Sequence, residues 1–232
     1  MPPFKVLQPA PTGPLDQPRQ VNHTSTAAAD RTLQSFPKDI GWIEVICGSM
    51  FSGKTEELIR RVKRAIYGKQ KVQVFKPKVD DRYDEVQVVS HSRLKVTSTP
   101  IARAEDIFAA LRDDTQVVAI DEVQFFGTEL VAVCEKLASK GLRVICAGLD
   151  QDYLGRPFEP IPQLLAVAEY VSKELAICVV CGNPANRSQR LTPRSERVLV
   201  GSAAEYEARC RKCFVPGPVD ATVPRTLDLF ED

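Results

Sequence analysis

The stretch Gly48-Ser49-Met50-Phe51-Ser52-Gly53-Lys54-Thr55 constrains the fold of this chain more than any other. It fits the pattern G-x-x-x-x-G-K-[ST], in which successive backbone N–H groups surround a phosphate. Gly48 and Gly53 permit backbone angles that a side chain would block. In this pattern Lys54 reaches the β and γ phosphates, and the Thr55 hydroxyl binds Mg²⁺. The stretch therefore predicts a P-loop that binds a nucleoside triphosphate.

The segments on either side of this loop have the character that the motif requires. Residues 43–47 form a short apolar run, which is typical of a buried strand. Residues 55–67 predict a helix that ends before Gly68. Its expected inward face consists of Leu58, Ile59, Val62, Ala65 and Ile66. A chance match in an unrelated loop would lack these flanks, so we interpret the stretch as a strand–loop–helix unit.

Strands and helices alternate along the central part of the chain. Further strands are predicted at residues 72–75, 94–96, 117–120, 142–147 and 170–177. Further helices are predicted at residues 102–111, 128–140 and 161–168. This alternation predicts an α/β fold, in which a parallel sheet is covered by helices on both faces.

Composition divides the chain into four predicted segments. Residues 1–39 contain six prolines in the first eighteen positions and have no regular hydrophobic period, so we expect a disordered N-terminal extension. Three origins of this extension are open: a natural extension, a mistaken start site or a targeting segment, although a basic transit peptide usually contains more Arg. Residues 40–177 would form the P-loop domain and residues 178–214 a cysteine-bearing module. Residues 215–232 are Pro-rich and then acidic, which predicts a loosely held tail.

An acidic pair, Asp121-Glu122, follows the apolar run at residues 117–120. In a parallel sheet the carboxyl end of this strand would lie beside the P-loop, where ligands bind. Asp121 would hold Mg²⁺ and Glu122 would point at the nucleophile. The alternative is a pair of solvated charges.

Four of the seven cysteines form two C-x-x-C pairs, Cys178/Cys181 and Cys210/Cys213. Four thiolates in two such pairs suit a closed, tetrahedral structural zinc site. A redox pair is the alternative, although nothing around it resembles a thioredoxin. Cys47, Cys134 and Cys146 lie in apolar segments and are expected in the core.

Aromatic side chains cluster near the predicted active edge of the sheet. Phe125, Tyr153 and Phe158 have faces on which a nucleobase can stack, although each can equally be ordinary packing.

The bulk composition argues against several classes of protein. The net charge of +1 gives no electrostatic reason to expect binding to nucleic acid or to membrane surfaces. No apolar run has the length of a transmembrane helix, and the N-terminus lacks a signal-peptide pattern.

Together these features resemble the small, zinc-containing thymidine kinases of bacteria and the animal cytosol, over residues 41 to 214. The shared motifs are Gly48 to Thr55, Asp80-Asp81-Arg82-Tyr83, Asp121-Glu122-Val123-Gln124-Phe125-Phe126, Gly148-Leu149-Asp150, Tyr153, Arg156-Pro157-Phe158, Gly201 to Tyr206 and the two cysteine pairs.

The resemblance implies a RecA-like P-loop sheet with a small C-terminal zinc-binding β domain and a lasso-like loop. It implies transfer of the ATP γ-phosphoryl group to the 5′-hydroxyl of thymidine or deoxyuridine, giving ADP and, from thymidine, dTMP, in nucleotide salvage for DNA synthesis. It also implies a cytoplasmic homotetramer that dTTP inhibits.

The resemblance also assigns site residues. Glu122 matches the general base. The positions that match contacts to ATP or phosphate are Gly48, Ser49, Met50, Phe51, Ser52, Gly53, Lys54, Thr55, Asp80, Arg82, Asp121 and Gln124. The positions that match the nucleoside pocket are Phe125, Leu149, Tyr153, Phe158, Leu199, Val200, Gly201 and Tyr206.

Two other classes of function share part of this pattern. A RecA-like ATPase with a nucleic-acid-binding zinc ribbon would need a basic footprint. Here Glu196, Glu205 and Glu207 are mixed with the basic residues between the cysteine pairs. A regulatory protein without catalytic activity would not need an intact Lys54 and Glu122.

Overall fold

The P-loop strand lies inside a single parallel sheet. A computed structural model of the chain describes residues 40–78, 87–89, 95–192 and 205–217. Six strands form the main sheet: β1 (Trp42–Gly48), β2 (Val72–Pro77), β5 (Thr99–Ile101), β6 (Val117–Ile120), β7 (Arg143–Leu149) and β8 (Tyr170–Glu174). Their order is β5-β2-β6-β7-β1-β8, and every neighbouring pair is parallel.

Among the described residues, six short strands pair outside this sheet, always antiparallel. They are β3 (Gln87–Val89) with β4 (Lys95–Thr97), β9 (Ala176–Ile177) with β10 (Pro184–Ala185), and β11 (Arg187–Arg190) with β12 (Tyr206–Arg209). The single strand predicted at 170–177 is therefore wrong, since its first part belongs to the parallel sheet and its last two residues begin the cysteine module. The strand predicted near 94–96 exists, but it pairs with β3 and not with the main sheet.

Helices cover both faces of the sheet, as predicted. They are α1 (Lys54–Tyr67), α2 (Asp106–Ala110), α3 (Glu129–Ser139) and α4 (Ile161–Val167). Leu58, Ile59 and Val62 of α1 pack on one face of the sheet. The other face packs against α2, α3 and α4. The α/β architecture expected from the alternation of elements is confirmed.

Two details of the helices differ from the prediction. Ile66, expected to face inward, is 51% exposed, whereas Arg61 is buried at 8% exposure. Arg61 faces the sheet because its guanidinium reaches Glu44 of β1, with 2.7 Å between Nη1 and Oε2. The helix predicted at 102–111 is limited to α2, since the Asp106 carboxylate accepts the Arg103 backbone N–H in a turn just before it.

Several predicted features lie outside the described residues. They are the extension at 1–39, Asp80 and Arg82, the pocket positions Leu199, Val200 and Gly201, and most of the tail. Within the described ranges, no helix is both long enough and apolar enough to cross a bilayer.

Candidate functional site

The P-loop joins the carboxyl end of β1 to the first turn of α1. Gly53 has φ 86°, a left-handed conformation that strains other residues, and it precedes α1 directly. A Cβ at Gly48 would lie 2.3 Å from the carbonyl oxygen of Glu174, so only glycine permits this approach of β8. Lys54 Nζ donates to the Ser49 carbonyl at 2.6 Å. Glycine is therefore favoured at both positions for different steric reasons, which are the left-handed backbone at Gly53 and the close approach of β8 at Gly48.

One polar group of the loop is left over for a ligand. The buried Ser52 hydroxyl oxygen has no hydrogen-bond partner among the described residues. A buried polar atom without a partner is costly, and a bound phosphate would remove that cost.

The acidic pair lies directly opposite the P-loop helix. Asp121 follows β6, and the Thr55 hydroxyl donates to its Oδ2 at 3.5 Å. Glu122 has a left-handed backbone, with φ 52°, and its own N–H donates to Asp121 Oδ1 at 2.9 Å. That turn leaves Asp121 buried and Glu122 exposed to solvent. The two neighbouring carboxylates therefore lie in different environments, which allows them different tasks.

The charged groups of Lys54, Asp121 and Glu122 lie close enough to affect one another electrostatically. Burial, together with the negative charge of Glu122, raises the pKa of the Asp121 carboxyl to about 7. Burial lowers the pKa of Lys54, against the opposing effect of the Glu122 and Asp121 charges. Thr55 and Asp121 together offer the oxygen ligands that Mg²⁺ prefers, and a cation there would favour the ionised form of Asp121.

Gln124 connects the acidic pair to the next strand. Its amide Nε2 donates to Glu122 Oε2, and its Oε1 accepts the Leu149 backbone N–H at 3.0 Å. Gln124 is 4% exposed, so this orientation is fixed by its surroundings. Glu122 is thereby tied to the carboxyl end of β7.

The aromatic residues predicted for a nucleoside pocket follow the same edge of the sheet. Phe125 lies in the 3₁₀ turn after Glu122. The Phe158 backbone N–H donates to the carbonyl of Asp150, which follows β7, at 3.1 Å. Tyr153 and Tyr206 come from separate parts of the chain, and both contact the guanidinium of Arg190. Phe125, Tyr153 and Phe158 are half-buried, and Tyr206 is buried.

The four paired cysteines converge. The Sγ atoms of Cys178, Cys181, Cys210 and Cys213 all lie within 4.8 Å of one another. Four sulfurs bound tetrahedrally to Zn²⁺ lie about 3.8 Å apart, so the donor set and its spacing fit this metal. Hydrogen bonds from Asn183 and from the neighbouring thiols lower the pKa of Cys181 to about 6, which favours the thiolate that a metal needs. The quartet can hold a zinc ion.

The cysteine module also contacts the P-loop directly. The Met50 backbone N–H donates to the Ser188 hydroxyl at 3.0 Å, and the Ser49 hydroxyl donates to the Ala185 carbonyl at 3.4 Å. Phe51, whose backbone is left-handed at φ 62°, packs against the module's small core. The middle of the P-loop is therefore held by β10 and β11, which lie between the two cysteine pairs along the chain.

No sequence pattern identifies Ser188 or Arg190 as a residue that supports the site. Ser188 and Arg190 stand in a segment that contains several other polar residues, and no spacing distinguishes them.

Asp150 Oδ2 binds Lys173 Nζ at 2.6 Å, which joins the ends of β7 and β8 on either side of β1. Cys47 is 1% exposed, as expected for a core residue, and this burial raises the pKa of its thiol to about 11.

Comparison with known proteins agrees with this arrangement of motifs. The thymidine kinase family model matches residues 41–214. A thymidine kinase of Rhodothermus sp. (strain ITI 518) is 62% identical over 177 residues, which are 76% of this chain and 83% of the relative. A thymidine kinase of Bdellovibrio bacteriovorus is 57% identical over 194 residues, 84% of this chain and 93% of the relative. The range matched by the family model spans the P-loop, the acidic pair and both cysteine pairs. The chain belongs to the thymidine kinase family.

Proposed function

We propose that this protein transfers the γ-phosphoryl group of ATP to the 5′-hydroxyl of thymidine or deoxyuridine. The products would be ADP and, from thymidine, dTMP, in a salvage route that supplies DNA synthesis. The proposal rests on one observation: Lys54, Thr55, Asp121 and Glu122 lie close together at one edge of the sheet. The chain that contains them belongs to the thymidine kinase family.

The chemistry of phosphoryl transfer asks the protein mainly for positioning and for neutralisation of charge. Lys54 and the backbone N–H groups of the P-loop would bind the β and γ phosphates. Thr55 and Asp121 would hold Mg²⁺, which when bound offsets phosphate charge. The Ser52 hydroxyl has no hydrogen-bond partner within the described part of the chain, so it can donate to a phosphate oxygen, which supports a phosphate position within the loop.

Glu122 is proposed as the general base that accepts the proton of the 5′-hydroxyl. It is exposed and carries a carboxylate oxygen that Gln124 orients. Its left-handed backbone is a strained conformation of the kind that clusters at functional sites. Asp121, beside it, is buried against Thr55 and is better placed for the metal. On the basis of the family motif, Asp80 and Arg82 are proposed to contact ATP or its phosphates.

The nucleoside would bind among the aromatic residues at the ends of β6 and β7. Phe125, Leu149, Tyr153, Phe158 and Tyr206 are the described residues proposed for this pocket, and Leu199, Val200 and Gly201 are proposed to close over the base. The quartet of cysteines would hold a structural zinc ion. The family resemblance further supports a cytoplasmic homotetramer with feedback inhibition by dTTP.

One assay separates this proposal from a nucleic-acid-dependent ATPase and from a protein without catalysis. ATP consumption is measured in the presence of Mg²⁺ with thymidine, with single-stranded DNA, and with neither. We expect consumption to depend on thymidine alone. Stimulation by DNA would favour the ATPase, and no consumption in any arm would favour the regulatory protein.

A further inference from the structure

Arg190 is a fully buried arginine outside the P-loop and the acidic pair. It is the last residue of β11, and none of its surface is exposed. A buried guanidinium is costly unless its N–H groups and its charge are satisfied. The contacts of the Arg190 guanidinium therefore indicate the role of an arginine at this position.

Among the described residues, two tyrosines from different parts of the chain contact this guanidinium. The guanidinium carbon of Arg190 lies 3.6 Å from the centre of the Tyr153 ring, which is a direct stack on one ring face. Arg190 Nε and Nη2 both donate to the Tyr206 hydroxyl oxygen, at 3.1 Å and 2.6 Å. Arg190 and Tyr206 are also direct partners in the β11–β12 pair. One guanidinium thus holds a residue of the turn after β7 and a residue of β12.

This contact leaves each tyrosine with one group for a ligand. A ring has two faces, and because Arg190 covers one face of Tyr153, a base can stack only on the other. The Tyr206 oxygen accepts two N–H groups, so its own hydrogen is left to donate. Within the described ranges no protein atom accepts that hydrogen. A pyrimidine base offers carbonyl oxygens as acceptors.

We propose that Arg190 is a positioning residue for the nucleoside, which fixes the exposed face of Tyr153 and makes the Tyr206 hydroxyl a donor toward the base. This inference rests on the proposed function. Burial raises the pKa of Tyr206, so the hydroxyl keeps the hydrogen that it is to donate. Lysine cannot replace arginine here, because its ammonium group has neither the planar stacking surface nor the two-pronged donor geometry.

The test compares Arg190→Lys with a matched control on the same strand. Arg187 stands two residues earlier and also lies over an aromatic ring, that of Phe214, at 5.9 Å. We expect Arg190→Lys to raise the KM for thymidine about tenfold, because charged hydrogen bonds and a stacked cation are lost. The KM for ATP and the kcat at saturating thymidine should stay within about twofold of the wild type. Arg187→Lys should change none of these values by more than about twofold.

The readouts distinguish positioning from stability and from the proposed function. Zinc content and the thermal midpoint are measured first, and a general loss of structure would lower the active fraction without raising the KM for thymidine. If Arg190→Lys does not fold, Tyr206→Phe, which keeps the ring, is expected to raise the same KM. An unchanged KM, or an equal rise in the Arg187→Lys variant, would overturn the role of Arg190 in an enzyme that still phosphorylates thymidine. Failure of the wild type to phosphorylate thymidine would instead refute the function itself.

Discussion

The buried carboxylate of Glu44 joins the P-loop helix to the core of the sheet, and its removal gives a quantitative test. Glu44 is 3% exposed on β1. It accepts Arg61 Nη1 at 2.7 Å, Arg143 Nε at 2.6 Å and Nη2 at 3.2 Å, and Trp42 Nε1 at 2.8 Å. One carboxylate thereby connects α1, β1 and β7. We predict that Glu44→Gln destabilises the protein strongly, although the side chain keeps its size.

The magnitude follows from the charges that the substitution leaves behind. Removing one partner from a buried ion pair costs about 3–5 kcal/mol. Arg61 keeps a second carboxylate, since its Nε binds Glu57 Oε1 at 2.7 Å, so we expect the lower end, about 3 kcal/mol. With a urea m-value of about 2–3 kcal/mol per molar, the unfolding midpoint should fall by about 1 to 1.5 M.

The assay is urea unfolding followed by circular dichroism, with Asp114→Asn as the control. Asp114 pairs with Arg112 at 3.7 Å, and both side chains are 60% exposed, so the same chemical change there should not move the midpoint measurably. Equal midpoints for the Glu44→Gln and Asp114→Asn variants would refute the reasoning.

The pH dependence of this effect has a definite sign. Burial alone would raise the pKa of Glu44, but the hydrogen bonds and charges of Arg143, Trp42 and Arg61 outweigh it and hold the pKa below 4.5. The stabilisation is therefore fully present above pH 4.5 and is lost as the pH falls through the lower folded value. The gap in stability between the wild type and Glu44→Gln should be constant near neutral pH and should narrow in acid.

Three further predictions concern the site. Glu122→Gln should lower kcat by about 10²–10⁴-fold with unchanged ATP binding, measured by steady-state kinetics and calorimetry, and a near-normal kcat would remove Glu122 from the role of base. Cys178→Ser should lower the thermal midpoint and the affinity for thymidine together, and metal analysis that found no zinc in the folded protein would contradict this. Ser188→Ala should weaken ATP binding about fivefold, because the Met50 N–H loses its partner, and an unchanged Kd for ATP would show that this contact does not support the P-loop.

Much of the fold follows from local patterns. β1, β2, β6 and β7 were predicted because buried parallel strands read as short apolar runs, and α3 because its inward residues recur at helical spacing. β5 was missed because it has three residues, one of them proline, at the edge of the sheet. β12 was missed because its partner is distant along the chain, so no local period marks it.

The candidate site, like the fold, could be predicted from the sequence only in part. The P-loop glycines and the cysteine pairs can be recognised as sequence motifs, although Gly48 packs against Glu174 and the four cysteines converge only in the folded chain. The burial of the Arg61 side chain, by contrast, depends on its contact with Glu44, which is seventeen positions away. Arg190 depends on Tyr153 and Tyr206, which meet only in the folded chain. Residues whose role is to hold another residue cannot be identified from the motif that they support.

The most direct test of the proposed function is the fate of the γ-phosphoryl group. The zinc-loaded protein is incubated with Mg²⁺, γ-labelled ATP and thymidine, and the labelled products are separated, with 5′-deoxythymidine as the acceptor that lacks the reacting hydroxyl. We predict that the label appears in dTMP with thymidine and in no nucleoside product with 5′-deoxythymidine. Label released as inorganic phosphate at the same rate with either nucleoside would contradict the account.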